Sequence, residues 1–332
     1  MCIREQGLTD PVSMKIAVAR VKRYLVDDVH RISLSDLLKA ETERVYARLR
    51  GSQFTTRNDL RNQPTQDDLR ARLRAYEGAL NTLLNLVICG AAWGVPTQNP
   101  HWARCFKRST DWGDLQSGQL VLWNNLRRYP ALLLLYGIGL GAIGSKNYSL
   151  VYRLFYLGIR DNSYESEQPV AKLLHHHAVM EGQHQRWFFA GTHTGLSDHL
   201  FAVLRNPLRE YLPGEIEYER AFDWFEYLLC LVHCDLQITR AELQHRKARN
   251  PDFILRAPVG RFAWREMGPD DIVAETEPRE GQRVPAKVDA VLRAGFFESA
   301  GQPQIIDKYR DVKAGFDRFL ASGRGQWIPL GR

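Results

Sequence analysis

With 332 residues, 44% hydrophobic and 11% aromatic, the chain is long enough to bury a substantial core, and its composition is not that of a disordered protein. The net charge is +7, from 45 Lys and Arg against 38 Asp and Glu. That balance favours acidic partners or nucleic acid, but the two signs alternate along most of the chain and no basic block stands out. Cys2, Cys89, Cys105, Cys230 and Cys234 form a sparse, odd set that fits reduced thiols in a cytoplasmic protein, and the N-terminus lacks the apolar run of a secretory signal.

Residues 12–50 read as two helices. Val18, Val21 and Leu25, then Ile32 to Leu49, carry apolar groups at three- and four-residue spacing, with a break at Asp27-Asp28. Ser33 or Ser35 is placed to cap the second helix. A polar stretch, 51–66, follows. The next helix starts at Gln66-Asp67-Asp68 and ends at Gly94-Val95-Pro96, and a short one is expected at His101–Arg108.

Trp123–Ile159 is the most apolar stretch, uncharged from Tyr129 to Ser145, and reads as a buried helical hairpin at the centre of the fold. Its glycines, Gly137, Gly139, Gly141 and Gly144, suit close helix approach better than a phosphate loop, since no lysine of the P-loop kind accompanies them. At 17 uncharged residues with a proline and glycines inside, the stretch reads as soluble core, not a membrane span. Single helices are expected over 170–190, 199–211 and 216–248, followed by a hairpin of short strands at Phe253–Ala257 and Gly260–Arg265. An aperiodic acidic segment, 266–286, and helices over 286–298 and 303–321 complete the chain. The expected architecture is mainly α: a multi-helix, bundle-like array around the apolar hairpin with a small α+β C-terminal part. Three segments are expected, 1–65, 66–249 and 250–332.

Chemistry-bearing residues are few. Glu181-Gly-Gln-His184 and Glu242-Leu-Gln-His245 have the spacing by which a four-helix bundle holds two metal ions, but the lone glutamates such a site needs on two further helices are missing. Glu181 and His184 are therefore only weak metal candidates. His175-His176-His177 cannot converge on one ion from a single helix, because neighbours diverge by about 100°. No metal or other cofactor is expected. Arg240 and His245 fit the Arg-to-His spacing of helical (HEPN-like) ribonucleases, which makes a ribonuclease the first alternative function. Arg261, Trp264 and Arg265 interleave charge and aromatic surface, a combination that stacks bases or grips an acidic protein, so they are the expected binding residues. A basic nucleic-acid-binding module is the second alternative.

Arg23-Tyr24-Leu25-Val26-Asp27 with Asp36-Leu37, Trp123 with Arg128-Tyr129-Pro130-Ala131, Tyr136-Gly-Ile-Gly139, Pro258-x-Gly-Arg-Phe-x-Trp-Arg265 and Ala294-Gly-Phe296 are spread over most of the chain. Together they resemble the helical C-terminal regions of multidomain bacterial proteins thought to act in anti-phage defence. In those proteins a TIR-like, sirtuin-like or similar effector precedes a helical sensing or scaffold region. The stretch before residue 15 leaves no room for an effector, so the resemblance implies one carried elsewhere. The reading is thus a non-catalytic, cytoplasmic interaction module with a protein partner, an effector subunit; nucleic acid and oligomerisation stay open, and no membrane association is expected.

Overall fold

The computed structural model describes residues 11–51, 54, 65–110, 121–160, 164, 166–250, 254–265, 268–278, 280–298 and 305–322. Among these residues the fold is mainly α-helical, with one antiparallel two-residue pairing, Gly158–Ile159 against Gln168–Pro169.

The helices pack around an axis of two long elements. Helix α1 (Pro11–Val26) and helix α2 (Arg31–Leu49) meet at an elbow of one short 3-10 turn. Both lean on helix α3 (Gln66–Trp93). A full capping box sets the start of α3: Thr65 Oγ1 accepts from the Asp68 amide at 3.1 Å while the Asp68 carboxylate accepts from the Thr65 amide at 2.9 Å. Helix α4 (Asn99–Ser109) and helix α5 (Val121–Leu126) lead into helix α6 (Tyr129–Gly144), in which every residue except the terminal glycine is buried.

Glycine brings α3 and α6 together. A Cβ on Gly137 would sit 2.6 Å from Leu84 Cδ1, and one on Gly141 would lie 3.1 Å from the Ile88 carbonyl oxygen. On another side, a Cβ on Gly139 would meet the Phe225 ring at 2.1 Å. Close packing of this kind has no room for an added methyl. A tight turn with Lys146 at φ 59° then reverses the chain, and Asn147 caps helix α7 (Tyr148–Phe155) by accepting from the Leu150 amide at 3.3 Å. Buried Asn99 clasps this turn through Asn147 and Ser149.

Downstream the structure corrects several expectations. The single helix expected over 170–190 is three short ones, α8 (Val170–Leu173), α9 (His176–Val179) and α10 (Gly182–Phe188). His175 itself caps α9, its Nδ1 accepting from the Ala178 amide at 3.2 Å. Helix α11 (Gly195–Leu208) precedes helix α12 (Glu215–Gln237), which stops where Ile238 turns extended. Helix α13 (Arg240–Arg249) starts afresh with Thr239 capping Glu242, so the long helix expected over 216–248 is two. Among the described residues the expected hairpin is not formed: residues 254–260 are irregular, 261–264 form a 3-10 turn, and Phe253 lies outside the described residues. Helix α14 (Gly268–Thr276) occupies part of the segment read as aperiodic. Neither Ser33 nor Ser35 caps α2, which begins two residues before Ser33 with no side-chain cap. Helices α15 (Ala286–Arg293) and α16 (Ile305–Ala321) close the fold.

One contiguous buried cluster runs from Val21 to Leu320 and so passes through all three expected segments. Among the described residues no helix is long and apolar enough to cross a membrane.

Candidate functional site

Two polar constellations sit on this scaffold, one sealed and one open. The sealed one centres on Glu226 of α12, 2% exposed. Its Oε1 accepts from Ser197 Oγ of α11 at 2.6 Å and from Tyr136 Oη of α6 at 3.0 Å. Ser197 Oγ in turn accepts from the Arg261 amide at 3.0 Å. Gly260 backs directly onto the carboxyl group, where a Cβ would fall 2.0 Å from Oε2. Burial dominates the ionisation of Glu226 and pushes its pKa up to about 8, against the pull of the Ser197 bond. The raised pKa favours the neutral acid around pH 7, and through these bonds the group staples α6, α11, α12 and the 258–265 segment together.

An ion-pair ladder caps this network. The Arg261 guanidinium lies 3.5 Å from Asp198, 3.4 Å from Glu219 and 3.6 Å from Asp223, and 3.7 Å above the centre of the Phe201 ring. Arg265 reaches Glu219 at 2.9 Å and also pairs with Asp223. Trp264 stacks on His193, with centroids 3.8 Å apart and planes 6° from parallel. The three expected binding residues, Arg261, Trp264 and Arg265, thus all engage groups of their own chain.

The histidine tract is also enclosed. His176 Nε2 bonds the Val259 carbonyl at 3.1 Å, His177 Nδ1 lies 3.4 Å from Gln185 Nε2, and His233 Nδ1 bonds the Ala171 carbonyl at 3.0 Å. Burial holds all four rings, His175 included, in the neutral form, with His177 and His233 lowered to about 4. Cys230 and Cys234 are buried, and burial pushes both thiols up, which suits packing. Among the described residues no group of three or more His, Cys, Asp or Glu could hold a metal ion. Glu181 precedes α10 and His184 lies inside it, both half-buried; Glu242 pairs with Arg246. Arg240 and His245 fall on α13 five residues apart, about 140° around the helix. His245 is exposed, and the Arg240 side chain lies outside the described residues.

The open constellation is a cleft of about 550 Å³ between the first half of α3 and the α10–α11 segment. Gln66, Arg70, Leu73 and Arg74 form one wall; Phe188, Phe189, Ala190, Thr192 and His199 form the other. The walls are held in register by the Gln66 amide, which donates to the Trp187 carbonyl at 2.8 Å, and by His199 Nε2, 2.7 Å from Glu77 Oε1. Tyr129 Oη donates to the same Glu77 oxygen at 2.8 Å. Burial pushes Glu77 up, but the His199 and Tyr129 bonds outweigh it and keep the carboxyl below its ordinary value. Arg70 bonds Asp67 at 3.0 Å and lies 5.5 Å from the Phe188 ring centre. The lining holds two arginines and a histidine and no carboxylate.

Sequence reasoning passed over the cleft because its walls come from segments more than a hundred residues apart; the only local hint is Arg70 and Arg74, four apart on one helix face. No protein family, curated protein or solved structure matches the chain.

Proposed function

We propose that the chain is a non-catalytic protein-interaction module, the sensing or scaffold part of a bacterial anti-phage defence assembly, with an effector subunit as its partner. The observation that carries this reading is the apolar elbow between α1 and α2. Val26, Val29 and Ile32 are 86%, 79% and 72% exposed within seven consecutive residues, and Val12 and Ile16 of α1 are 60% and 56% exposed. Apolar side chains gathered on a surface mark contact sites.

The charge around them is mixed: Asp27 and Asp28 lie in the elbow itself, and Lys22 is paired with Glu210. Helix α1 carries Lys15, Arg20, Lys22 and Arg23 and no acid. An apolar patch with charge of both signs around it suits a protein partner that presents an apolar patch of its own. The defence setting rests on the sequence resemblance. The groups suited to acid–base work, Glu226 and the four buried histidines, support a scaffold role because each is spent on holding elements together.

The test is purification of the tagged chain from its native cells, beside a Val29→Asp/Ile32→Asp variant whose melting temperature matches the wild type. A stoichiometric protein carried by the wild type and lost from the variant is the expected result. Retention of that protein by the variant rejects the elbow. RNA degradation abolished by His245→Ala would replace the scaffold with a ribonuclease, and co-purified nucleic acid without a protein would replace it with a nucleic-acid-binding module.

A further inference from the structure

The cleft between α3 and the α10–α11 segment has features that the scaffold needs none of. Its volume, about 550 Å³, falls in the range of small-molecule sites. Two cationic side chains, Arg70 and Arg74, stand one turn apart along one wall, and His199 faces them across the gap. His199 is held by the Glu77–Tyr129 pair behind it, so its ring is set in place before anything binds. Phe189, half-buried, provides apolar ring surface beside Phe188, which is 5% exposed, while Gln66 and Thr192 add neutral polar groups.

Each element selects for a ligand property. Guanidinium groups a turn apart match the oxygens of a phosphate better than they match a single carboxylate. Asp67 and Glu77 stand behind Arg70 and His199, so Arg74, exposed on the wall, is the cation that an anion meets most directly. The Phe189 ring, on the wall opposite the arginines, gives a flat apolar group a surface to lie on. Inorganic phosphate would use only the cationic groups and leave the ring surface empty.

We propose that this cleft binds a nucleoside phosphate, with the phosphate between Arg70, Arg74 and His199 and the base against Phe189. The site lies on a different part of the chain from the α1–α2 elbow, so it stands or falls independently of the protein partner.

Isothermal titration of the full chain with AMP, ATP, adenosine and inorganic phosphate tests this directly. Saturable binding of AMP or ATP is expected, at least tenfold tighter than either adenosine or inorganic phosphate. Arg74→Ala should weaken it at least tenfold with no change in melting temperature, because Arg74 is exposed and sits on the cleft wall. Arg74→Glu should abolish it. His199→Gln, which keeps a hydrogen-bonding group toward Glu77, should weaken it too. No saturable nucleotide binding would overturn the proposal, as would binding unchanged by Arg74→Glu. Inorganic phosphate or adenosine binding as tightly as AMP would remove the role of ring or charge and overturn it as well. So would a short single-stranded RNA that binds while mononucleotides do not.

Discussion

Replacing Glu226 by glutamine isolates the energetic role of the sealed network. Glutamine keeps the size and one hydrogen-bonding oxygen of the protonated acid but cannot ionise. In the folded chain burial raises the carboxyl from an ordinary 4.5 to about 8, whereas the unfolded chain ionises near 4.5. A raised folded pKa means that the contribution of Glu226 is fully present below pH 4.5 and is lost as pH climbs through 8. A tenfold change in proton affinity is worth about 1.4 kcal/mol, so the wild type should lose up to ~5 kcal/mol across that window through this one group. Glu226→Gln loses none of it. At pH 4 the two proteins should melt within a degree or two of each other; by pH 9 the variant should melt higher by on the order of 8 °C. Thermal melts of both proteins at one-unit pH steps, plotted as a difference, are the measurement. A difference flat from pH 4 to 9, or a variant equally destabilised throughout, would mean that Glu226 is ionised in the fold and paired with Arg261, and the reasoning would fail.

Other consequences can be checked with the same melts. Gly139→Leu drives a side chain into the Phe225 ring and should cost at least 1–3 kcal/mol, read as a lower melting temperature or insoluble protein. Gly78 sits in the exposed face of α3 with nothing within 4 Å of an added Cβ, so Gly78→Ala should stabilise by about 0.5–1 kcal/mol. The buried histidines act in the opposite sense to Glu226. The unfolded chain takes up protons near 6.5 while His177 and His233 resist until about 4, so stability should fall as pH drops through that interval, most clearly in the Glu226→Gln background.

Much of the fold is legible in local signals. Helix α3 runs from an acidic start to a glycine stop, both visible in the sequence, and α6 declares itself by being apolar all round. The breaks are harder to see. Thr239-Arg-Ala-Glu242 has the spacing of a helix start, but the apolar stripe running past it reads as one helix. His175 is an uncommon cap, so nothing in the tract itself announces the start of α9. Arg261 and Arg265 advertise a binding surface only while Asp198, Glu219 and Asp223 are out of view, and those acids reach them from two other helices. The cleft is illegible for the same reason, since Glu77 and His199 meet only through tertiary packing.

Helix α6 is enclosed by partners on both sides of it in the chain: α3 and α4 precede it, and α7, α9, α11 and α12 follow. During synthesis its uncharged face toward Phe225 emerges before α12 exists to cover it. At roughly 5–20 residues per second the delay is of the order of ten seconds, far longer than the microseconds a helix needs to form. A nascent chain of this design is therefore a client for any chaperone that holds apolar helices, and a fragment ending before α12 should precipitate instead of folding. The most apolar element of the protein is the one least able to exist alone.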